Sequence, residues 1–210
     1  MDCSTGVYIA PRVAISSITE KDFIAHNWKW ERPILVTPAG FDDKDTCLFP
    51  NKLKGGYFIL HRVGNEICGD YFKTLNFKNE SVKKCIRIIG PRINSWDSAK
   101  VGITAPPIKT KYGWLLLYHG VSKHSIYRIG ALLLDLKDPA IVLARSTDPI
   151  FEPVEQYERE GVVDNVVFPC GMVVRNKLLY IYYGGADTVV GVATMELEII
   201  LKALVRSLKY

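Results

Sequence analysis

The sequence predicts an all-β fold assembled from repeated strand units, with a helix at its C-terminal end. Three apolar segments carry that expectation: Tyr57–Arg62, Trp114–Tyr118 and Leu178–Gly184. They begin 57 and 64 residues apart, and each has Arg, His or Tyr near its end and a second strand-like segment behind it. A spacing near 60 residues, with short strands and glycine turns, is the pattern of a four-stranded propeller blade. A β-sandwich with three similar hairpins fits the same pattern. At 210 residues and 48% hydrophobic content, the chain is long enough to form one all-β domain (residues 1–210) with an adequate core.

The elements follow in order. Residues 7–18 read as a strand, placed at an edge or bulge because Pro11 has no N–H to give. Thr19–Phe23 forms a short turn or helical cap. Residues 28–50, with Trp28, Trp30, three prolines and the cluster Asp42-Asp43-Lys44-Asp45, read as connecting loop around a short strand. Strands are expected at 57–63 (after Gly55-Gly56), 69–77 and 84–89. The turn-rich stretch 94–110 reads as loop. Residues 114–121 and 126–136 form a hairpin that Asp138-Pro139 breaks. Residues 148–161 are acidic loop, and 166–175, 178–184 and 189–195 are strands. From 196 to 208 apolar residues recur at helical spacing, with Lys202 and Arg206 late, where they suit a helix C-terminus.

Composition excludes several classes. No apolar run approaches the roughly 18 residues that span a bilayer. The first residues lack a basic segment followed by a long apolar one, so a signal peptide is not expected. Five cysteines, Cys3, Cys47, Cys68, Cys85 and Cys170, are scattered without a C-x-x-C pair. That spacing argues against a disulfide framework and a zinc site, and it fits a reducing cytoplasm. The net charge is +5, densest at Lys83, Lys84, Arg87 and Arg92. No aromatic residues interleave with these cations, so a solvated face is the better reading and no nucleic-acid partner is expected.

Residues 94–131 are the most informative stretch. A Trp-Asp-x-x-Lys-x-Gly turn leads through Pro106-Pro107 into the strand Trp114–Tyr118, which ends in His119-Gly120. A buried strand does not need the lysine or the histidine, and strand ends are where sheet proteins tend to place their sites.

These segments, WDSAKVG (96–102), APPIKT (105–110), GWLLLYHGV (113–121) and YRIGALLLDLKDP (127–139), resemble the β-mannoside phosphorylases and related mannosidases of glycoside hydrolase family 130. EREGVVDNVVFPCG (158–171), YYGGADTVVGVAT (182–194), DKDTCLFP (43–50) and Leu60-His61-Arg62 match in the same order. The resemblance implies a five-bladed β-propeller, of which this chain corresponds to about the last three to four blades. The family's general acid lies in a Glu-Asp-Pro-Arg motif in its first blades, and that motif does not occur here, so no catalytic residue is assigned.

An inverting phosphorylase replaces attacking water with phosphate. It therefore needs one carboxylic acid for the leaving oxygen and a cationic pocket for the phosphate. By resemblance the phosphate contacts are Lys44, Arg62, Lys100, His119 and Tyr127. The substrate contacts are Asp187 and Phe168, with Asp97 and Asp45 as further candidates. Each has an ordinary alternative: surface cations for Lys44, Arg62 and Lys100, a structural His119, core aromatics at 127 and 168. For the carboxylates, the alternatives are turn residues at Asp187 and Asp97. The implied reaction is phosphorolysis of β-mannosides to mannose 1-phosphate, with phosphate as co-substrate and no cofactor or metal. A non-catalytic glycan- or phosphate-binding remnant, half of a split enzyme, or a β-mannosidase are the alternatives. The partners expected are a mannose-containing oligosaccharide and phosphate, with self-association or a companion chain supplying the missing blades; no membrane is expected.

Overall fold

The computed structural model describes residues 10–77, 81–82 and 85–206. Two short strands, β1 (Ala14–Ile15) and β2 (Ile34–Leu35), pair around the five-residue helix α1 (Glu20–Ile24), whose N-terminus Thr19 caps by accepting from the Asp22 N–H. The first large sheet is β3 (Asp43–Leu48), β4 (Tyr57–Val63), β5 (Glu66–Phe72) and β6 (Ile86–Ile89), antiparallel in that order. The second contains β7 (Lys100–Ile103), β8 (Ile108–Lys109), β9 (Trp114–Val121), β10 (Tyr127–Leu134) and β11 (Val142–Arg145). Its order is β7-β9-β10-β11, with β8 pairing the start of β9. After the short helix α2 (Gln156–Arg159) comes a third sheet, β12 (Val167–Arg175), β13 (Leu178–Gly185) and β14 (Val189–Glu196), and then helix α3 (Leu197–Arg206).

The sheets stack face to face. Phe58, Leu60 and Ile67 of the first sheet meet Val101, Ile103, Trp114, Leu116 and Tyr118 of the second. The opposite face of the second sheet, Leu115, Leu117, Ile129, Ala131 and Leu133, packs on Val167, Leu179 and Ile181 and on Ile200, Leu201 and Leu204 of α3. Alternate residues of β9 thus enter different cores, so all of β9 is buried and its sequence is one continuous apolar run rather than an alternating one. The far face of the first sheet is covered by Val36, Phe77, Val82 and residues of β1 and β2. The far face of the third sheet exposes Val173, Tyr182, Val190 (81%) and Val192.

Several expectations are corrected. Over 7–18, Ala14–Ile15 is the paired segment, and residues 7–9 lie outside the described residues. Tertiary bonds hold the rest: the Val13 N–H donates to Thr37 Oγ1 and Arg12 Nε to the Thr37 carbonyl. Of the acidic cluster 42–45, residues 43–45 are not loop but the start of β3, because Asp43 is buried against His61 of the neighbouring strand. Strand 69–77 begins earlier, at Glu66, behind a turn at Gly64, whose φ of +58° favours glycine. The expected loop 94–110 contributes β7 and β8, and the expected loop 148–161 contains α2. Residues 84 and 207–208 of two expected elements lie outside the described residues.

Cys68 and Cys85 are joined in a disulfide, their Cα atoms 4.9 Å apart, against the expectation from spacing. Pairing of β5 with β6 brings them together, a contact that linear separation does not reveal. The scattered spacing therefore no longer argues for a reducing compartment. Of the expected basic patch, Arg87 pairs with Glu66 and Arg92 with Asp97, while Lys83 and Lys84 lie outside the described residues. Among the described residues no helix is long and apolar enough to cross a membrane, and no three His, Cys, Asp or Glu side chains are grouped to hold a metal ion.

Candidate oxyanion site

The three sheets meet at one end. The Val101 N–H donates to the Asn65 carbonyl (3.1 Å), tying the β4–β5 turn to β7. The Tyr127 N–H donates to the Asn165 carbonyl (3.0 Å), and Tyr127 bridges Val166, tying β10 to the start of β12. The strand ends bearing Arg62, Lys100, His119, Tyr127 and Phe168 are thereby drawn together.

Asp45 lies at the middle of them. A bulge between Lys44 and Cys47 lifts it out of the β3–β4 ladder, and its φ of +49° is a left-handed conformation that non-glycine residues adopt at a cost. Its Oδ2 is 3.0 Å from Arg62 Nε and 3.7 Å from His119 Nε2. The Arg62 N–H does not line up on that oxygen, so the contact is a charge pair rather than a hydrogen bond, and Oδ2 is buried without one. Burial pushes the Asp45 carboxyl up to about 6; the Lys100 charge opposes this and the Asp43 charge adds to it.

His119 is fully buried, and its two ring nitrogens have no hydrogen-bond partner. Its ring packs against those of Phe168 (centroids 4.5 Å apart) and Tyr127 (6.1 Å), whose own centroids are 6.4 Å apart, so the three rings form a triangle. Burial, then the charges of Arg62 and Lys100, push its pKa down to about 3, so at neutral pH it is an uncharged imidazole. The positive charge of the site is therefore carried by Arg62 and Lys100, and His119 supplies an unpaired ring nitrogen. Lys100 Nζ sits 4.8 Å over the Tyr127 ring. Gly102, opposite His119 in the β7–β9 register, makes room: a Cβ there would lie 2.6 Å from Asp45 Oδ2 and 2.7 Å from His119 Nε2.

The structure thus gathers Arg62, Lys100, His119, Tyr127, Phe168 and Asp45. Lys44 is exposed, opposite Arg62 in the β3–β4 register. Asp187 is exposed in the β13–β14 turn at a φ of +51°. The neighbouring Ala186 N–H donates to the Val166 carbonyl, which places that turn at the same end of the sheets as Tyr127 and Phe168.

Asp97 is elsewhere. It is fully buried, accepting from Arg92 (Nε to Oδ1, 3.0 Å; Nη2 to Oδ2, 2.9 Å), Arg145 Nη2 (2.7 Å) and the Tyr118 hydroxyl (2.9 Å). Burial alone would raise its pKa, but the Arg92 hydrogen bond, the Arg145 and Arg92 charges and the Tyr118 hydrogen bond hold it below the usual carboxylate range. Its carboxylate is thus committed to joining the 90–97 loop to β9 and β11. Its hydrogen bonds run to Arg92, Arg145 and Tyr118, not to Lys100. A cleft of about 550 Å³ lies beside it, lined by Asn94, Trp96, Arg128, Thr147 and Glu152, apart from the cluster.

The sequence reading did not single out two features. One is the pair of Arg145 and Arg92 on Asp97, joined across 48 and 5 residues. The other is the Asp43–His61 pair, in which Nδ1 and Oδ2 are 2.9 Å apart at zero exposure. The Arg145–Asp97 and Asp43–His61 contacts join separate elements, for which a single sequence has no local signal. His61 Nε2 and Asp43 Oδ1 remain without partners in the interior.

Comparison with known proteins gives these positions a setting. The family model for glycoside hydrolase family 130, described as beta-1,4-mannooligosaccharide phosphorylase, matches residues 9–206. A 1,2-beta-oligomannan phosphorylase of Thermoanaerobacter sp. (strain X514) is 47% identical over 169 residues, 80% of this chain and 55% of the relative. A beta-1,2-mannobiose phosphorylase of Listeria innocua is 39% identical over 194 residues, 91% of this chain and 53% of the relative. The structure of the Listeria innocua beta-1,2-mannobiose phosphorylase, in complex with beta-1,2-mannobiose, superposes with a TM-score of 0.73 at 38% identity, over 84% of this chain and 51% of that one. The chain therefore spans about half the length of the curated relatives it matches. Its stacked sheets with the C-terminal helix are part of a five-bladed propeller, which decides against the sandwich.

Proposed function

The chain belongs to glycoside hydrolase family 130, and from that we propose that it contributes the phosphate-binding side of a β-mannoside phosphorylase. The observation that carries the reading is the convergence of Arg62, Lys100 and the unpaired His119 around one oxygen position at the meeting of three sheets. A fork-shaped guanidinium, a point charge and a buried imidazole nitrogen are what a phosphate needs where water is partly excluded. Tyr127 fixes Lys100 from below and Phe168 offers an apolar face to the sugar. Asp187, at the same end of the sheets, is the proposed partner of a mannose hydroxyl. Lys44 stands at the rim, where an extended side chain adds positive field rather than a fixed contact.

In this reading inorganic phosphate is the co-substrate and no other cofactor takes part. A phosphate oxygen forms the new bond to the anomeric carbon as the glycosidic C–O bond breaks. A carboxylic acid protonates the departing oxygen, giving mannose 1-phosphate and the shortened acceptor. The acid is assigned to none of the residues described above. It comes with the further blades of the propeller, which a companion chain would pack against the bare outer face of β12–β14. Two relatives named for β-1,2 linkages, at 47% and 45% identity, support β-1,2-linked mannosides as the substrates.

The test is incubation with β-1,2- and β-1,4-mannobiose, with and without phosphate. Phosphate-dependent mannose 1-phosphate is expected once the acid-bearing blades are present, and saturable phosphate binding without turnover if they are not. Free mannose released without phosphate, or no phosphate binding at all, would refute the proposal.

A further inference from the structure

Asp45 is an unexpected residue to find at the centre of a site for an anion. A carboxylate among the groups meant for phosphate repels phosphate, yet the backbone is bent into an unfavourable conformation to put it there. Four strands converge on it. Asp43 of β3, Arg62 of β4, Lys100 of β7 and His119 of β9 are the charged or titratable groups that face it, and Gly102 of β7 leaves the space its oxygen fills. Its Oδ2 lies within 3.0 Å of the guanidinium and 3.7 Å of the imidazole, where an oxygen of a bound oxyanion would lie. The oxygen is held by charge and not by a hydrogen bond.

We infer that Asp45 is the resident anion of the site, and that binding of an external oxyanion requires it to take up one proton from solvent and give up its place between Arg62 and His119. The inference rests on reading the cluster as an oxyanion site, and adds to it a coupled proton. Protonated, Asp45 no longer competes, and its hydroxyl becomes a donor to the oxyanion. Burial, which brings the carboxyl to about 6, makes that uptake feasible near neutrality, while His119, near 3, does not titrate in the same window.

Inorganic sulfate is the probe, because it stays a dianion from pH 5 to 8 and any pH dependence of its binding belongs to the protein. Calorimetric titrations of the full chain and of Asp45→Asn and Arg62→Ala, in buffers of differing ionisation enthalpy, give the affinity and the protons taken up. In the unsubstituted protein sulfate affinity should fall roughly tenfold per pH unit above the carboxyl's pKa, with about one proton taken up at pH 8. Asp45→Asn should bind independently of pH, take up no proton and be tighter at pH 8 by on the order of 100-fold. Arg62→Ala should bind weakly throughout. Phosphate should follow the same order of proteins at each pH.

A flat pH profile without proton uptake in the unsubstituted protein would overturn the inference without recourse to any variant. So would an Asp45→Asn protein that binds no more tightly at pH 8. If sulfate binds, is lost in Arg62→Ala and is indifferent to Asp45→Asn, the oxyanion site stands and the role of Asp45 falls. Binding of neither sulfate nor phosphate to the unsubstituted protein or Asp45→Asn would remove both.

Discussion

Replacing Gly102 by alanine puts one methyl group at the centre of the cluster. Its carbon would lie 2.6 Å from Asp45 Oδ2 and 2.7 Å from His119 Nε2, where ordinary contact begins at 3.4 Å. Those two atoms would have to retreat by about 0.7–0.8 Å and His119 Cε1, which the new carbon would approach most closely, by more, while Phe168 and Tyr127 both pack against that ring. Overpacking of this kind costs about 1–3 kcal/mol. At about 2–4 °C per kcal/mol for a chain of this size, Tm should fall by roughly 2–12 °C. The same shift takes the imidazole off the position it shares with Arg62 and Lys100. Phosphate binding should weaken at least about tenfold, or ~1.4 kcal/mol. Differential scanning calorimetry gives the first quantity and phosphate titration the second. A Gly102→Ala protein with unchanged Tm and unchanged phosphate affinity would show that β7 does not press on the site, and the geometric argument would fail.

Other outcomes follow from the same contacts. Arg62→Ala and Lys100→Ala should each remove a charge-assisted contact worth about 1.5–3 kcal/mol, a loss of phosphate affinity on the order of 10- to 100-fold by titration; undiminished affinity in both would speak against the pocket. Asp97→Ala leaves the partly buried Arg92 and Arg145 without their counter-ion, though still bonded to backbone carbonyls, and should destabilise by about 3 kcal/mol in urea unfolding, while the remaining folded protein keeps its phosphate affinity. Leu117→Ala, at a fully buried position of β9, should cost about 2–5 kcal/mol by the same measurement. The Asp45 carboxyl rises from 3.8 to about 6 on folding, so the native state holds its proton more readily than the unfolded chain. Stability should accordingly decline as pH rises between those two values and stay reduced above them. Asp45→Asn removes that decline, so its Tm should exceed that of the unsubstituted protein at pH 7.5 and approach it near pH 4.

The sequence made the repeat legible because β4, β9 and β13 are each the second strand of a sheet, apolar enough to stand out. It also made the candidate residues legible, since Arg62 and His119 near the ends of β4 and β9, and Lys100 at the start of β7, interrupt apolar or turn patterns that do not require them. What stayed hidden depended on partners distant in sequence. Asp97 looked like a turn residue or a ligand because Arg145, which fixes it beside the nearby Arg92, comes from β11, 48 residues on. The start of β3 looked like loop because four charged residues in a row hide a strand in which Asp43 pairs with His61. The neutrality of His119 was equally out of reach, since it follows from burial and from two cations on other strands.

The two ends of the sheet stack are unlike. The first sheet carries its own cover, from Val36, Phe77 and Val82, whereas Val190 and its neighbours on β14 face outward uncovered. Joined patch to patch, two copies would be related by a twofold axis and would use up both adhesive surfaces at once, leaving none on which to extend. Any association of that kind therefore stops at a pair, and whatever occupies the patch first excludes the twin.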